Sequence, residues 1–335
     1  MKKNEKLKDI LFTIAFPIVT FLVMECLCYF LKGRHIFTTV ADYKTLVRNT
    51  GIAAMTAFAL SFNLKSGRFD LSLGAQRLAG CIVGGIIAIN LGLSGIGLLL
   101  FSVVFGLIFG FITGLAFVTF RVPPMVLGIG MGLVWEVVPY EFSGGKGLNL
   151  YGVEGMDSIN NTGFIVCVVL IAAVFVTILV QYTKFGYESR AIQGNQLVAQ
   201  NSGINIFKNA VLSYTFAGAL VCIAGVLNTA FTTQMSSSLG LTSNGVVTAH
   251  MFAMMLGGYI GERSNESIGI IVAALSISIM KYGLALLEFS EANNSVINMT
   301  IFVLFLVFLA NRYFFKKRNA EQARIKEAKE ELAKA

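Results

Sequence analysis

The sequence predicts an all-α, polytopic integral membrane protein of about ten transmembrane helices, some of them broken or short. Three observations carry that reading. Of 335 residues, 56% are hydrophobic and only 13% charged, where soluble domains carry about 25% charged residues. Mean hydropathy is +0.74, which makes lipid the natural solvent. The third observation is the placement of the net charge of +8: residues 1–9 contribute +2 and residues 312–335 contribute +4. Basic tails flanking apolar spans set a membrane orientation. They do not make a nucleic-acid face, which needs cations clustered on a folded surface.

Each crossing needs about 20 apolar residues. In chain order the candidates are 10–31, 45–64, 72–93, 98–120, 123–140, 163–182, 209–231, 244–260, 267–289 and 295–314. The first follows a lysine-rich start, as a signal peptide would. Its apolar run is too long for a signal core, however, and no small-residue cleavage site follows, so it reads as an uncleaved helix. An even number of spans puts both termini on one side. The turns with Lys65 and Arg68, Arg121, Lys184, Arg190 and Lys208, and Arg263 share that side, which the positive-inside rule makes cytoplasmic. The opposite loop 141–162 holds Glu141, Glu154 and Asp157 against Lys146 alone. The connection 32–44, with Lys32, Arg34 and Lys44, runs against the pattern.

Within the spans, Gly106, Gly110 and Gly114 form a small-xxx-small ladder that lets a neighbouring helix approach closely. Pro123-Pro124 suits a helix start. Cys26, Cys28, Cys81, Cys167 and Cys222 lie in apolar runs without CxxC spacing and read as small core residues. The segments 49–74 and 244–269 echo one another: an apolar half-span, a charged Gly-containing turn, then Ser72-Leu73-Gly74 or Ser267-Ile268-Gly269 opening another apolar run. Paired interruptions of this kind mark transport paths in many transporters, though two ordinary helix–turn–helix connections would look the same.

The chemistry-bearing motifs are sparse. Gly144-Gly145-Lys146-Gly147 lacks the spacing and hydroxyl of a phosphate loop. Gly128-Ile129-Gly130-Met131-Gly132 lies in an apolar helix with no strand before it. His35 and His250 are far apart, which leaves no basis for a metal site or a catalytic triad. A non-catalytic chain without metal or cofactor is expected. Five ionisable residues fall inside apolar runs: Glu25, Arg77, Glu136, His250 and Lys281. Such residues line polar cavities or form buried or interfacial pairs. Arg77 and Lys281 are near enough to span ends to snorkel, and Glu25 is near the outer end of the first span. Glu136, between Trp135 and Tyr140, suits hydrogen bonding and stacking with a polyol. Glu136, His250 and Lys281 could alternatively form the relay of an ion-coupled secondary transporter.

The most informative polar stretch between spans is 183–204. It contains a two-turn helix-length segment, 195–202, between Gly194 and Gly203. In order, Thr183, Phe185, Gly186, Ala191, Gly194, Asn195, Ala199, Ser202, Gly203 and Ile204 match a T-x-F-G-x…A-x-G-x-N…A…S-G-I pattern. Phe69-Asp70-Leu71-Ser72-Leu73-Gly74 matches a G-I-D-L-S-V-G segment with Arg68 in place of the glycine. Arg121-Val122-Pro123-Pro124 and Leu256-Gly257-Gly258 supply two further matches, so the resemblance runs over roughly 49–310. On these residues the chain resembles the permease subunits of bacterial ATP-binding-cassette (ABC) importers of the ribose/simple-sugar type, related to branched-chain amino acid permeases.

The resemblance implies a transmembrane permease domain over 1–314 with a coupling loop at 183–207, and a charged cytoplasmic tail at 315–335. It implies a place in the bacterial plasma membrane and import of a monosaccharide or related polyol or nucleoside. A separate ABC ATPase subunit would carry ATP and Mg. An extracytoplasmic substrate-binding protein, and a homodimer or paired permease in the bilayer, complete the expected partners; nucleic acid is not among them. Phe185, Gly186, Ala191, Gly194, Asn195, Ala199, Ser202 and Gly203 would form the ATPase-coupling loop. Asp70, Ser72, Trp135, Glu136, His250 and Lys281 are the candidates for the substrate pathway. The chain departs from the family pattern at Glu136, His250, Lys281 and the charged turn Glu262-Arg263-Ser264-Asn265-Glu266.

Overall fold

Apolar runs of span length become helices because lipid offers no partner to a backbone N–H or C=O. The computed structural model describes residues 2–332, with side chains over 8–312 except at positions 157 and 291. Among the described residues there are twelve α-helices: α1 (Lys2–Lys32), α2 (Val40–Leu64), α3 (Leu73–Asn90), α4 (Gly95–Phe120), α5 (Pro124–Phe142), α6 (Thr162–Tyr182), α7 (Lys184–Gly194), α8 (Gln196–Asn201), α9 (Ile206–Thr232), α10 (Asn244–Gly261), α11 (Glu266–Leu286) and α12 (Glu291–Leu332). Ten coincide with the expected spans; α7 and α8 lie in the long polar loop. Eight of the ten are long and apolar enough to cross a membrane by themselves. The other two, α2 and α10, are diluted by polar residues such as Arg48 and Asn49, or Asn244 and His250. Other helices cover them instead: α2 packs against α6, α9 and α10, and α10 also meets α3.

The closest helix pairing joins α4 to α9. The buried stripe of α4 runs Leu98, Ser102, Gly106, Phe109, Gly110, Thr113 and Gly114, while Leu100, Val104 and Ile108 stay exposed. A methyl group at Gly106, Gly110 or Gly114 would collide with the α9 backbone at Gly218, Tyr214 or Val211. The glycine ladder is therefore the α4–α9 contact surface.

The echoed segments both fold as helix, turn, helix, but they differ in detail. After α2 the chain spends eight residues, 65–72, before α3, while four residues, 262–265, join α10 to α11. The second turn is tight because Gly257 and Gly269 bring α10 and α11 together.

One end of the helices gathers the basic turns. Lys65 pairs with Glu266, Thr177 on α6 donates to Ser267 at 2.7 Å, and Arg263 lies over Phe12 of α1 at 4.4 Å. At the opposite end, β1 (Leu148–Asn149) pairs antiparallel with β2 (Gln234–Met235). There Leu148, Leu150, Met156 and Ile159 pack with Leu98, Val226 and Met235. The described residues form two compact units that divide between Tyr282 and Gly283. The second unit holds the end of α11 and α12, which stays helical through Leu332; 333–335 lie outside the described residues. None of the five cysteines forms a disulfide among the described residues; Cys28, Cys81 and Cys222 are buried, Cys26 and Cys167 exposed.

Candidate functional site: a helical arm, a capped break and a cationic cavity

The polar loop 183–204 is more structured than the expected single helix over 195–202. Two helices form, because each finds its own cap. Thr183 Oγ1 accepts from Gly186 N at 3.4 Å to start α7. Asn195 Oδ1 accepts from Leu197 N and Val198 N at 3.0 and 3.1 Å to start α8, the usual N-cap arrangement. Gly203, at φ +83°, ends α8, and Ile204 N reaches back to Ala199 O at 3.1 Å. The residues expected to couple divide into two groups. Phe185, Gly186 and Ala199 are buried anchors, while Ala191, Gly194, Asn195, Ser202 and Gly203 are exposed.

The anchors fix the arm to the spans. Phe185 packs on Phe62 of α2 and Phe216 of α9, with ring centroids 5.9 and 5.6 Å away. A side chain at Gly186 would strike the Val180 carbonyl. Asn209 on α9 donates to Phe185 O at 3.3 Å and to Ser189 Oγ at 3.0 Å. Ile192, Ala199 and Ile206 form a small core of their own. On the outer face of α8, Leu197 is 71% and Val198 59% exposed.

Asp70, Ser72 and Trp135 join one buried hydrogen-bonded chain. Ser72 donates through its N–H and Oγ to Asp70 Oδ1, at 2.8 and 2.6 Å. Gln76 Nε2 donates to Ser72 Oγ and to Thr113 Oγ1, and Trp135 Nε1 donates to Thr113 Oγ1 at 2.9 Å. This chain builds the break at the start of α3: Asp70 holds the turn and Gln76 ties it to α4 and α5. Burial pushes the Asp70 carboxyl up to about 6 against the hydrogen bonds from Ser72. Arg68, which replaces the family glycine, is buried beside Tyr214, and its terminal nitrogens have no hydrogen-bond partner among the described residues.

Glu136 is fully buried, and its partners are backbone. It accepts from Leu241 N at 2.7 Å and Ser243 N at 3.0 Å, holding the chain that leads into α10. Glu136 is not among the residues that line the cavity with His250 and Lys281, the alternative relay grouping; its oxygens accept from a connection 105 residues away. Glu25 is also structural: it accepts from Ile36 N at 2.9 Å and pairs with His35, closing the turn after α1.

His250 and Lys281 do come together. They line a cavity of about 430 Å³ among α2, α3, α9, α10 and α11, with Arg77, Asn49, Asn228 and Ser278. His250 Nδ1 donates to Val246 O at 2.8 Å, and Lys281 Nζ reaches Ala249 O at 3.4 Å. Arg77, which the sequence leaves open between snorkelling and lining a polar path, faces the cavity here; the two asparagines join it, and an amide inside an apolar run is the available signal for them. Helices α2 and α9 carry both the arm's anchors and the cavity's wall. Phe62 to Asn49, and Phe216 to Asn228, are each about 20 Å of helix.

Comparison with known proteins agrees with this architecture. The chain is 22% identical over 281 residues to the ribose import permease protein of Escherichia coli (strain K12), covering 80% of this chain and 85% of the relative. It is 23% identical over 225 residues to the galactose/methyl galactoside import permease protein of Haemophilus influenzae, covering 63% and 66%. A solved chain provisionally assigned to the metal-chelate type ABC transporters, in an inward-facing conformation, superposes with a TM-score of 0.50 at 14% identity, covering 91% of this chain and 98% of that one. Residues 43–309 match the family described as branched-chain amino acid transport system / permease component, and the chain belongs to that family.

Proposed function

We propose that the chain is the membrane-spanning subunit of an ATP-driven importer that carries a monosaccharide, or a related polyol or nucleoside, across the bacterial cytoplasmic membrane. The observation that carries the reading is the α7–α8 arm. It presents Leu197 and Val198 on its outer face while Phe185 and Asn209 lock its inner face to α2 and α9. An ATPase subunit seated on that arm would move α2 and α9 as levers, and both border the cavity. ATP and Mg belong to that partner; this chain binds no cofactor in the scheme. Substrate would arrive from an extracytoplasmic binding protein, and a second permease would complete the path. Residues 1–314 form the permease domain and 315–335 a cytoplasmic tail, with both termini on the ATPase side; the contact between Arg263 and Phe12 supports that reading for α1. The ribose and galactoside permeases among the relatives support the solute class.

An ion-coupled relay through Glu136, His250 and Lys281 is less well supported, since no Asp or Glu is among the described residues that line the cavity. The test is purification of the tagged chain from its own membranes in mild detergent. Co-purification of a stoichiometric, ATP-hydrolysing subunit is expected. A chain that is folded and active in transport without one contradicts the proposal.

A further inference from the structure

Building on that transport reading, we propose that the cavity among α2, α3, α9, α10 and α11 binds the anionic group, a carboxylate or phosphate, of a small hydroxylated solute. Arg77 is only 9% exposed. Its Nε has no hydrogen-bond partner, and its guanidinium makes no hydrogen bond or ion pair among the described residues. The titratable groups near it are His250 and the thiols of Cys81 and Cys222, none of which supplies a carboxylate. Among the described residues, Lys281, on the α11 wall, reaches only the Ala249 carbonyl, at the long distance of 3.4 Å. Two cations thus line one cavity, with no acidic residue among the described residues of its lining. A cation withdrawn from water without a counter-charge costs several kcal/mol, and in a membrane such a residue marks a functional site by default.

The remaining lining suits a hydroxylated body. Asn49, Asn228 and Ser278 offer amide and hydroxyl groups. His250 commits Nδ1 to the Val246 carbonyl and leaves Nε2 for a ligand. A volume of about 430 Å³ is in the range of small-molecule sites. The guanidinium fork matches a carboxylate or phosphate in a bidentate manner. A neutral sugar would leave both charges uncompensated, so sugar acids or sugar phosphates fit better than the parent sugars. An anionic lipid headgroup offers the same chemistry and has to be separated by experiment.

The test uses the full-length chain in non-ionic detergent, with its melting temperature followed against galacturonate, gluconate and glucose 6-phosphate, and against neutral galactose, glucose and ribose. A saturable upward shift with at least one anion, and none with the neutral sugars, is expected. Arg77→Gln or Lys281→Met should raise the half-saturating concentration about tenfold or more, the loss of one charge-assisted interaction. Unliganded Arg77→Gln should melt no lower than the parent chain, since it removes an uncompensated charge. Absence of any anion shift, equal shifts with neutral sugars, or shifts unchanged in both variants would overturn the proposal. Nanodiscs of phosphatidylcholine with and without phosphatidylglycerol separate the sources. A shift that persists in phosphatidylcholine alone supports a soluble solute; stabilisation by phosphatidylglycerol that soluble anions neither reproduce nor displace rejects it. The ATPase subunit is scored in the same preparations. Its absence beside an intact anion response sinks the importer reading alone; its presence beside no anion response sinks only the anion site.

Discussion

At Asp70 a single side chain shows how this protein pays for a broken helix. The carboxylate holds the turn that starts α3 through both Ser72 bonds, but it does so fully buried, with its pKa raised from 3.8 to about 6. The folded chain therefore binds that proton more tightly than the unfolded chain, and the charge opposes folding increasingly as pH rises from about 4 to 6. Asp70→Asn keeps an oxygen for both bonds and removes the charge. It should stabilise the protein by up to about 3 kcal/mol above pH 6, with the gain vanishing below pH 4; melting curves across that range check it. Glu136 fixes a different connection, its two carboxyl oxygens each accepting from one backbone donor, Leu241 N and Ser243 N. Glu136→Ala orphans both, at about 1–3 kcal/mol each, and should lower the melting temperature. A merely path-lining Glu136 would leave stability unchanged.

Elements transmit what residues fix. The α4–α9 interface tolerates no side chain along its glycine ladder, and Gly110→Leu should cost about 3 kcal/mol or more through overpacking, seen as loss of monodisperse protein in size-exclusion chromatography. The α7–α8 arm offers the converse test. Space around Gly194 is open, so Gly194→Trp should leave the fold and melting temperature intact while an indole blocks the outer face. The mutant is expected to lose the bound ATPase subunit; normal recovery of that subunit would contradict the coupling role of the arm. The same reasoning separates Phe185, whose truncation to Ala should loosen the arm from α2 and α9, from exposed Leu197, whose change to Asp should spare stability and weaken docking.

Across the whole molecule, what depended on chain-local physics was legible in the sequence. Long apolar runs could only be helices in lipid, and Gly106, Gly110 and Gly114 could only serve close packing. What depended on distant segments meeting was not. Arg77, His250 and Lys281 are scattered over some two hundred positions, and nothing local says that they share one cavity. Glu136 misled for the same reason: its aromatic neighbours suggested a polyol, but its partners lie at Leu241 and Ser243. Helix α7 escaped notice because its few apolar anchors, Phe185 and Ile192, give too short a pattern to distinguish from a connector. The molecule that results carries the α7–α8 arm packed on α2 and α9, and the same two helices border a cavity lined by Arg77, His250 and Lys281. Under the proposed function, the energy for transport comes in trans. The most direct test reconstitutes the purified complex in vesicles and follows labelled ribose, galactose, galacturonate, gluconate and glucose 6-phosphate. Movement of a solute only when ATP is supplied on the arm's side is the predicted result; movement driven by a proton or sodium gradient without ATP would contradict it.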